Sequence, residues 1–249
     1  MEMLSEVTSV TLANINLTLD SNHILHNLNF KIENGGIHCL LGPNGAGKTL
    51  TNKILSFLLK MDNGEIYWND ELVKIKSEKD RVNVVREIGF MNQKPVFLSK
   101  SLRANIEIPL RIRGLAREER EKMVSEGLTE FGLKDKEDQN AMKLSSGQQQ
   151  KAAMLRTTIH HPKLLIVDEP TASLDQANTK WMEDYITQKQ KTDKVLIFWT
   201  THDHFQAKRI GKNVTIMIDG KIEETGKVID IFSNSQNERV KSYLKGELV

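Results

Sequence analysis

Five short stretches of this 249-residue chain carry side chains that could act together. The first, Gly42-Pro43-Asn44-Gly45-Ala46-Gly47-Lys48-Thr49, fits the pattern G-x-x-x-x-G-K-[ST] at every position. Glycines allow the backbone to turn its N–H groups inward, and a helix N-terminus behind them adds a partial positive charge, so the stretch reads as an anion cradle. Lys48 would reach the β- and γ-phosphates of a nucleotide, Leu50 would open the helix, and the Thr49 hydroxyl would ligate Mg²⁺. The second stretch is the pair Asp168-Glu169, which closes the apolar run Leu164-Leu165-Ile166-Val167. An aspartate at such a strand end holds Mg²⁺, often through water, and the next carboxylate, Glu169, would orient or deprotonate an attacking water. Taken alone, the pair could equally be two solvated acids in a turn.

The remaining three stretches gain meaning from the first two. His202, in Thr200-Thr201-His202-Asp203, follows another apolar run, and ligands gather at the carboxyl ends of strands in α/β sheets. Alone it would be an ordinary loop histidine. Gln93, in Met91-Asn92-Gln93, stands where the chain changes character. Leu144-Ser145-Ser146-Gly147-Gln148-Gln149-Gln150 precedes a helix; Ser146 and Gln149 have capping-box spacing, which is the structural explanation. A helix N-terminus bearing serine hydroxyls is also a second phosphate site. With one phosphate loop in the chain, that site points to a nucleotide shared between two copies.

Positioning these residues requires strands and helices in a particular order. Ile37 to Leu41 reads as a buried strand before the loop, and Leu50 to Leu59 as a helix after it, with Ile54, Leu55, Leu58 and Leu59 on its apolar face. Residues 7 to 36 alternate polar and apolar, as antiparallel strands with one solvated face do. Glu65 to Trp68 and Glu71 to Val73 around Asn69-Asp70 read as a hairpin. Ala116 to Phe131 carries Val124, Leu128 and Phe131 at helical spacing, with Gly132 as C-cap. Strands return at Leu164 and Val195, separated by a helix near Gln176 to Lys189, and the chain closes with a hairpin at Asp219-Gly220. The fold class is therefore α/β: a phosphate-loop core with a mainly parallel sheet, an N-terminal antiparallel β subdomain and an inserted helical subdomain. The expected single unit 1–249 divides into core and β subdomain at 1–93 and 162–249, with the helical subdomain at 94–161.

Composition narrows the classes. A net charge of +2 argues against a nucleic-acid footprint, and the lone cysteine, Cys39, fits a reducing compartment and a packing role. Met1 to Glu6 shows neither the basic nor the apolar region of a leader, and no apolar run approaches the ~20 residues of a membrane helix. Any membrane association is expected to come through a partner.

Taken together, these stretches resemble the nucleotide-binding subunits of ABC transporters over nearly the whole chain. Gly42 to Thr49 is similar to Walker A, Leu164 to Asp168 with Glu169 to Walker B, Gln93 to the Q-loop glutamine, Ser173-Leu174-Asp175 to the D-loop, His202 to the switch histidine, and Leu144 to Gln148 to the LSGGQ signature. The resemblance implies a head-to-tail dimer holding two ATP molecules with Mg²⁺. Each ATP would lie between one subunit's Walker A and the other's Ser145, Ser146, Gly147 and Gln148, with Asp175 nearby. It further implies Glu169 as general base, His202 on the γ-phosphate and Gln93 on Mg²⁺ and water. The segment after Gln93 would receive coupling helices of a membrane-spanning permease at the inner face of the cell membrane, leaving this subunit cytoplasmic and peripheral.

Two positions depart from the family pattern. Ser146 stands where glycine is usual, with a cost if that position needs a positive φ. Leu19 stands where an aromatic residue would stack on adenine. The end of the chain, Ile231 to Gly246, and the segment Gln93 to Leu98 with Asn105 and Ile108-Pro109-Leu110 resemble short importer ATPases for oxyanions or polar amino acids. Such systems work with an extracytoplasmic solute-binding protein. The alternative is an exporter subunit with the same chemistry; a soluble ABC module would call for a second cassette, a long coiled coil or basic arms, and a purely regulatory subunit would not need Glu169 and His202.

Overall fold

The structure, a computed structural model, describes residues 6–247; of the stretch Met1 to Glu6, expected to carry no leader, all but Glu6 lies outside them. Two antiparallel strands open the chain, β1 (Ser9–Leu19) and β2 (Asn22–Glu33), followed by the fully buried β3 (Ile37–Leu41) and the helix α1 (Lys48–Leu55). A hairpin of β4 (Asn63–Trp68) and β5 (Glu71–Leu72), then α2 (Glu78–Arg86) and β6 (Ile88–Met91), lead to three helices. These are α3 (Leu102–Ile112), α4 (Arg117–Glu130) and α5 (Ser146–Thr158). The strand β7 (Leu164–Asp168), α6 (Gln176–Asp193), β8 (Leu196–Thr201), α7 (His204–Ile210), the hairpin β9 (Gly211–Ile218) with β10 (Lys221–Lys227), α8 (Val228–Asn234) and α9 (Glu238–Leu244) complete the chain.

The strands form two sheets. One, ordered β2-β1-β4-β5, is antiparallel. The other is ordered β10-β9-β3-β8-β7-β6, parallel except for its edge strand β10. Alternate residues of the central strands feed two cores. Cys39, Leu165, Val167, Ile197 and Trp199 pack with the helices, whereas Leu40, Leu164, Ile166, Leu196 and Phe198 pack with the antiparallel sheet. Burial on both faces explains why these strands read as continuous apolar runs. Each such side chain contributes on the order of 1.5–3 kcal/mol by leaving water. Cys39 is one of them, and burial pushes its thiol up to about 12, which keeps it protonated and inert.

Local differences from the sequence expectations have physical causes. The helix after the loop ends at Leu55, not Leu59, because Phe57 turns left-handed at φ 57° and the N–H groups of Leu58 and Leu59 turn back to Lys53 O. Leu58 is thereby thrown out to 52% exposure, and only Ile54 and Leu55 of the expected apolar face are fully buried. The capping box uses Ser145 and Gln148 rather than Ser146 and Gln149: the Ser145 hydroxyl accepts from Gln148 N at 3.4 Å and Gln148 Oε1 accepts from Ser145 N at 3.1 Å. In α3, Pro109 removes one helical donor, and Arg113 Nη1 donates to the Pro109 carbonyl at 3.0 Å. Helix α4 buries Val124 and Leu128, with Phe131 as its C-cap and Gly132 turning left-handed after it.

Candidate nucleotide site

The loop between β3 and α1 is shaped by close approaches. A Cβ on Gly42 would stand 2.0 Å from the Met217 carbonyl oxygen, so only glycine passes β9 there. Gly47 caps α1 at φ 101°, a conformation that L side chains rarely adopt. Asn44, Gly45, Ala46, Gly47, Lys48, Thr49 and Leu50 line a cavity of about 450 Å³ together with Gln93 and Glu169. Gly42 and Pro43 turn their carbonyls to Lys48, whose ammonium donates to them at 2.7 and 3.0 Å.

Lys48 is 6% exposed, and burial holds its ammonium below the ordinary value, opposed by the neighbouring charges of Glu169 and Asp168. Asp168, at the end of β7, is 2% exposed and accepts from Thr49 Oγ1 at 2.8 Å and from Asn52 Nδ2 at 2.9 Å. Asn52 also reaches Thr200 Oγ1 on β8 at 2.7 Å. Burial raises the Asp168 carboxyl above its ordinary range, the Thr49 hydrogen bond opposes this, and the Glu169 charge adds to it.

Glu169 is where the separate stretches meet. Its backbone is left-handed at φ 42°, a strained setting for glutamate, and its N–H donates to Thr200 O at 3.0 Å. One carboxylate oxygen faces Lys48 Nζ at 3.5 Å. The other faces Gln93 Nε2 at 3.3 Å and His202 Nδ1 at 3.1 Å. Three residues spread from position 48 to position 202 thus converge on one carboxylate. Such an array can bind a polyphosphate, hold its terminal group with cations and hydrogen-bond donors, and accept a proton from water.

The structure does not bring the Ser145–Gln148 segment or Asp175 into this cavity. Ser145 and Ser146 lie exposed at the start of α5, and Asp175 caps α6 by accepting from Asn178 N at 2.8 Å. Those two helix starts adjoin: a Cβ on Gly147 would stand 2.9 Å from Asn178 Nδ2. Ser146 is absent from the left-handed residues, so the cost expected of a side chain there does not arise. Leu19 ends β1 at the tip of the first hairpin, 37% exposed.

The sequence reading missed two connecting residues. Gln150, 2% exposed on α5, donates to the Gln93 carbonyl at 2.9 Å and so ties the Gln93 loop to the signature helix. Asn105, fully buried, folds the segment after Gln93 by accepting from Leu98 N at 2.9 Å and donating to Leu98 O at 3.1 Å and Ser101 O at 3.0 Å. In the sequence Asn105 shows only as a mark of subfamily. Gln150 gave no signal beyond its place in a glutamine run.

Among known proteins, the sequence profile of the ABC transporter family matches residues 25–172. The chain belongs to the ABC transporter family. The phosphate import ATP-binding protein PstB 2 of Natronomonas pharaonis is 29% identical over 249 residues, covering 96% of this chain and 87% of that protein. The methionine import ATP-binding protein MetN 1 of Staphylococcus epidermidis is 32% identical over 221 residues, 88% of this chain and 65% of its own length. The glycine betaine/carnitine transport ATP-binding protein GbuA of Listeria monocytogenes is 32% identical, and the chain spans 55% of it. Among solved structures, cbiO1 of Clostridium perfringens, part of the ABC transporter complex cbiONQ, superposes with a TM-score of 0.82 at 26% identity over 96% of both chains. A dimeric ATP-binding cassette in a post-hydrolysis state with ADP and Pi has a TM-score of 0.80 at 26% identity, covering 88% of this chain and 98% of that one. The α/β fold of this ABC cassette, with one antiparallel and one mainly parallel sheet, is that of its structural relatives.

Proposed function

We propose that this chain is the ATP-binding and ATP-hydrolysing subunit of an ABC importer, powering uptake of a small solute through a separate permease. The convergence of Lys48, Gln93 and His202 on the Glu169 carboxylate carries the catalytic part of this reading. The uptake part rests on the relatives, which are import subunits for phosphate and methionine and a transport subunit for glycine betaine and carnitine. An oxyanion or a polar amino acid is the solute class we assign.

In this reading the N–H groups of the 42–49 loop hold the phosphates of ATP, and Lys48 turns from the Gly42 and Pro43 carbonyls to the β- and γ-phosphates. Glu169 accepts the proton of the attacking water, Gln93 orients that water, and His202 donates to the γ-phosphate. Thr49 and Asp168 fit a hard divalent cation: two oxygen donors already in contact, one a buried carboxylate. Among the described residues no group of three or more His, Cys, Asp or Glu could hold a metal, so the remaining ligands would be phosphate oxygens and water. Mg²⁺ bound there would neutralise charge on the phosphates.

Ser145 to Gln148 lie outside the cavity, so they serve the nucleotide of a second ATPase subunit placed head to tail. A homodimer satisfies this, as does a pairing with a different cassette. Among the described residues no helix is long and apolar enough to cross a membrane. The permease meets a cavity of about 550 Å³ between α2, β6 and α3, walled by Leu58, Val82, Ile108, Ile112, Arg81 and Arg86. Leu58 and Ile112 are 52% and 57% exposed there, which suits the apolar face of a short permease helix. The subunit then sits at the cytoplasmic face through that contact.

A tagged pull-down from detergent-solubilised membranes of the native host, with mass identification, tests the assignment. A polytopic membrane subunit arriving with an extracytoplasmic binding protein is the expected result. A membrane subunit that consistently lacks a binding protein would mean export, and nothing membrane-embedded in ATP, ADP or no nucleotide would overturn the transport role.

A further inference from the structure

A buried polar cluster behind the Glu169 loop has no part in the mechanism above. Gln206, on α7, is 1% exposed. Its amide nitrogen donates to Thr171 Oγ1 and to Glu183 Oε1, both at 2.9 Å, and its carbonyl oxygen accepts from Trp199 Nε1 at 3.1 Å. Glu183, on α6 and 2% exposed, accepts two hydrogen bonds from Arg209, at 2.7 and 2.6 Å.

The partners sit on the segments that carry the site. Thr171 is two residues past Glu169, Trp199 three residues before His202, and Glu183 is on the helix that Asp175 caps. A cavity of about 520 Å³, lined by Glu169, Thr171, Glu183, His202, Gln206 and Arg209, lies beside these contacts. The loops bordering it have room to shift unless something fixes them. Stability alone gives little reason for the cluster, since replacing both partners of a buried polar contact by apolar groups of the same shape is close to neutral.

We propose that Gln206 is a positioning residue for hydrolysis, which locks the His202 segment to the Glu169 segment through Trp199 and Thr171. The proposal rests on the ATPase reading above. A positional error of about 1 Å in such a site costs on the order of 100-fold in rate, so an amide that fixes two loops at once is worth its buried polar atoms.

The test is a double-mutant cycle on the purified chain, read by single-turnover ATP hydrolysis together with ATP affinity. Gln206→Leu should lower the hydrolysis rate roughly 10- to 100-fold with ATP affinity held within about twofold. In a His202→Ala background the same change should cost no more than about twofold, because what the lock sets is the placement of His202 against Glu169, and that no longer matters once His202 is gone. Equal losses in both backgrounds, the behaviour of a general loosening of the fold, would overturn the proposal, as would a wild-type rate in Gln206→Leu. Thr171→Val, at a half-buried position, cuts only the link to the Glu169 loop and should give the same pattern even if Gln206→Leu does not fold; wild-type kinetics there would count against us. Absence of ATP hydrolysis in the unmodified chain, both alone and with the subunits that co-purify with it, would instead remove the ATPase reading, and this inference with it.

Discussion

Lys48 and Glu169 form a buried ion pair, Nζ to Oε1 at 3.5 Å, with side chains only 6% and 13% exposed. The pair places a proton acceptor against the cation that would hold the γ-phosphate. Glu169→Gln keeps the shape and removes the acceptor. Lys48 retains its bonds to the Gly42 and Pro43 carbonyls, so the loop should stay formed. We expect turnover to fall by at least about 10²- to 10⁴-fold, the usual worth of a general base, with ATP-bound dimers preserved on a sizing column. Ordinary ATPase rates in this variant would sink the general-base assignment.

Lys48→Ala separates binding from chemistry. It removes the ammonium that this loop points at its own carbonyls and leaves Glu169 without its buried counter-charge. Isothermal titration should show ATP affinity lost by on the order of 100-fold, the scale of a charged hydrogen bond of about 1.5–3 kcal/mol and more. Tight ATP binding by this variant would contradict the phosphate-loop reading.

The signature segment offers a contrast between neighbours. Ser146 is the first residue of α5, exposed, with no left-handed φ, whereas Gly147 has Asn178 where a Cβ would go. Ser146→Gly should therefore lower stability by no more than about 1 kcal/mol, the cost of glycine in a helix, and change ATPase activity little. Gly147→Ala should lower activity much more, because its Cβ would displace the Asn178 amide that is bonded to Asp175. Equal effects of the two substitutions on the measured rates would refute this account.

The parts of the site that were legible in the sequence are those whose residue types are fixed at adjacent positions. Gly42 to Thr49 and Asp168-Glu169 are contiguous, and their flanking strands are buried on both faces, so chemistry and scaffold lie in the same few residues. Helix α2 is not legible in the sequence, because only Val84 of its nine residues is buried and its apolar stripe is faint. Its start did carry a signal: Ser77 accepts from Asp80 N at 3.2 Å, an N-cap readable from the serine alone. The end of α1 was not legible, since nothing in the residue type announces that Phe57 turns left-handed. The pairs Gln150 with Gln93, and Gln206 with Thr171 and Glu183, join polar residues 57, 35 and 23 positions apart. No local pattern marks such partners; only the fold brings them together.

Leu19 bears on base recognition. It lies at the tip of the β1–β2 hairpin, 37% exposed, where the resemblance calls for an aromatic ring on adenine. An aliphatic residue packs against any base alike, so ATP and GTP should be hydrolysed with similar kcat/KM. Leu19→Tyr should improve ATP binding by about 1–3 kcal/mol, the worth of stacking a base on an aromatic side chain. Competition titrations with both nucleotides measure this; an unchanged ATP affinity in Leu19→Tyr would place the base elsewhere.

His38 governs stability in acid. It is 1% exposed in β3, between the rings of Phe30 and Phe198, and burial holds its imidazole down to about 4. Its Nε2 meets Thr215 Oγ1 at 2.8 Å. The unfolded chain binds a proton at this residue below its ordinary value of 6.5, and the folded chain does not until about 4. More protons on the unfolded state mean that stability rises with pH through this window, so the contribution is intact above 6.5 and is lost as pH falls toward 4. Between pH 7 and pH 5 the loss should be about 2 kcal/mol. His38→Phe keeps an aromatic ring in the strand, and Thr215 retains Thr225 Oγ1 at 3.0 Å as a partner. Denaturant midpoints at the two pH values should therefore converge in the variant by that amount. His160, held down to about 3 chiefly by burial, leaves a residual acid dependence of the same sign in both proteins. An identical pH slope in wild type and His38→Phe would show that the buried imidazole is not its source.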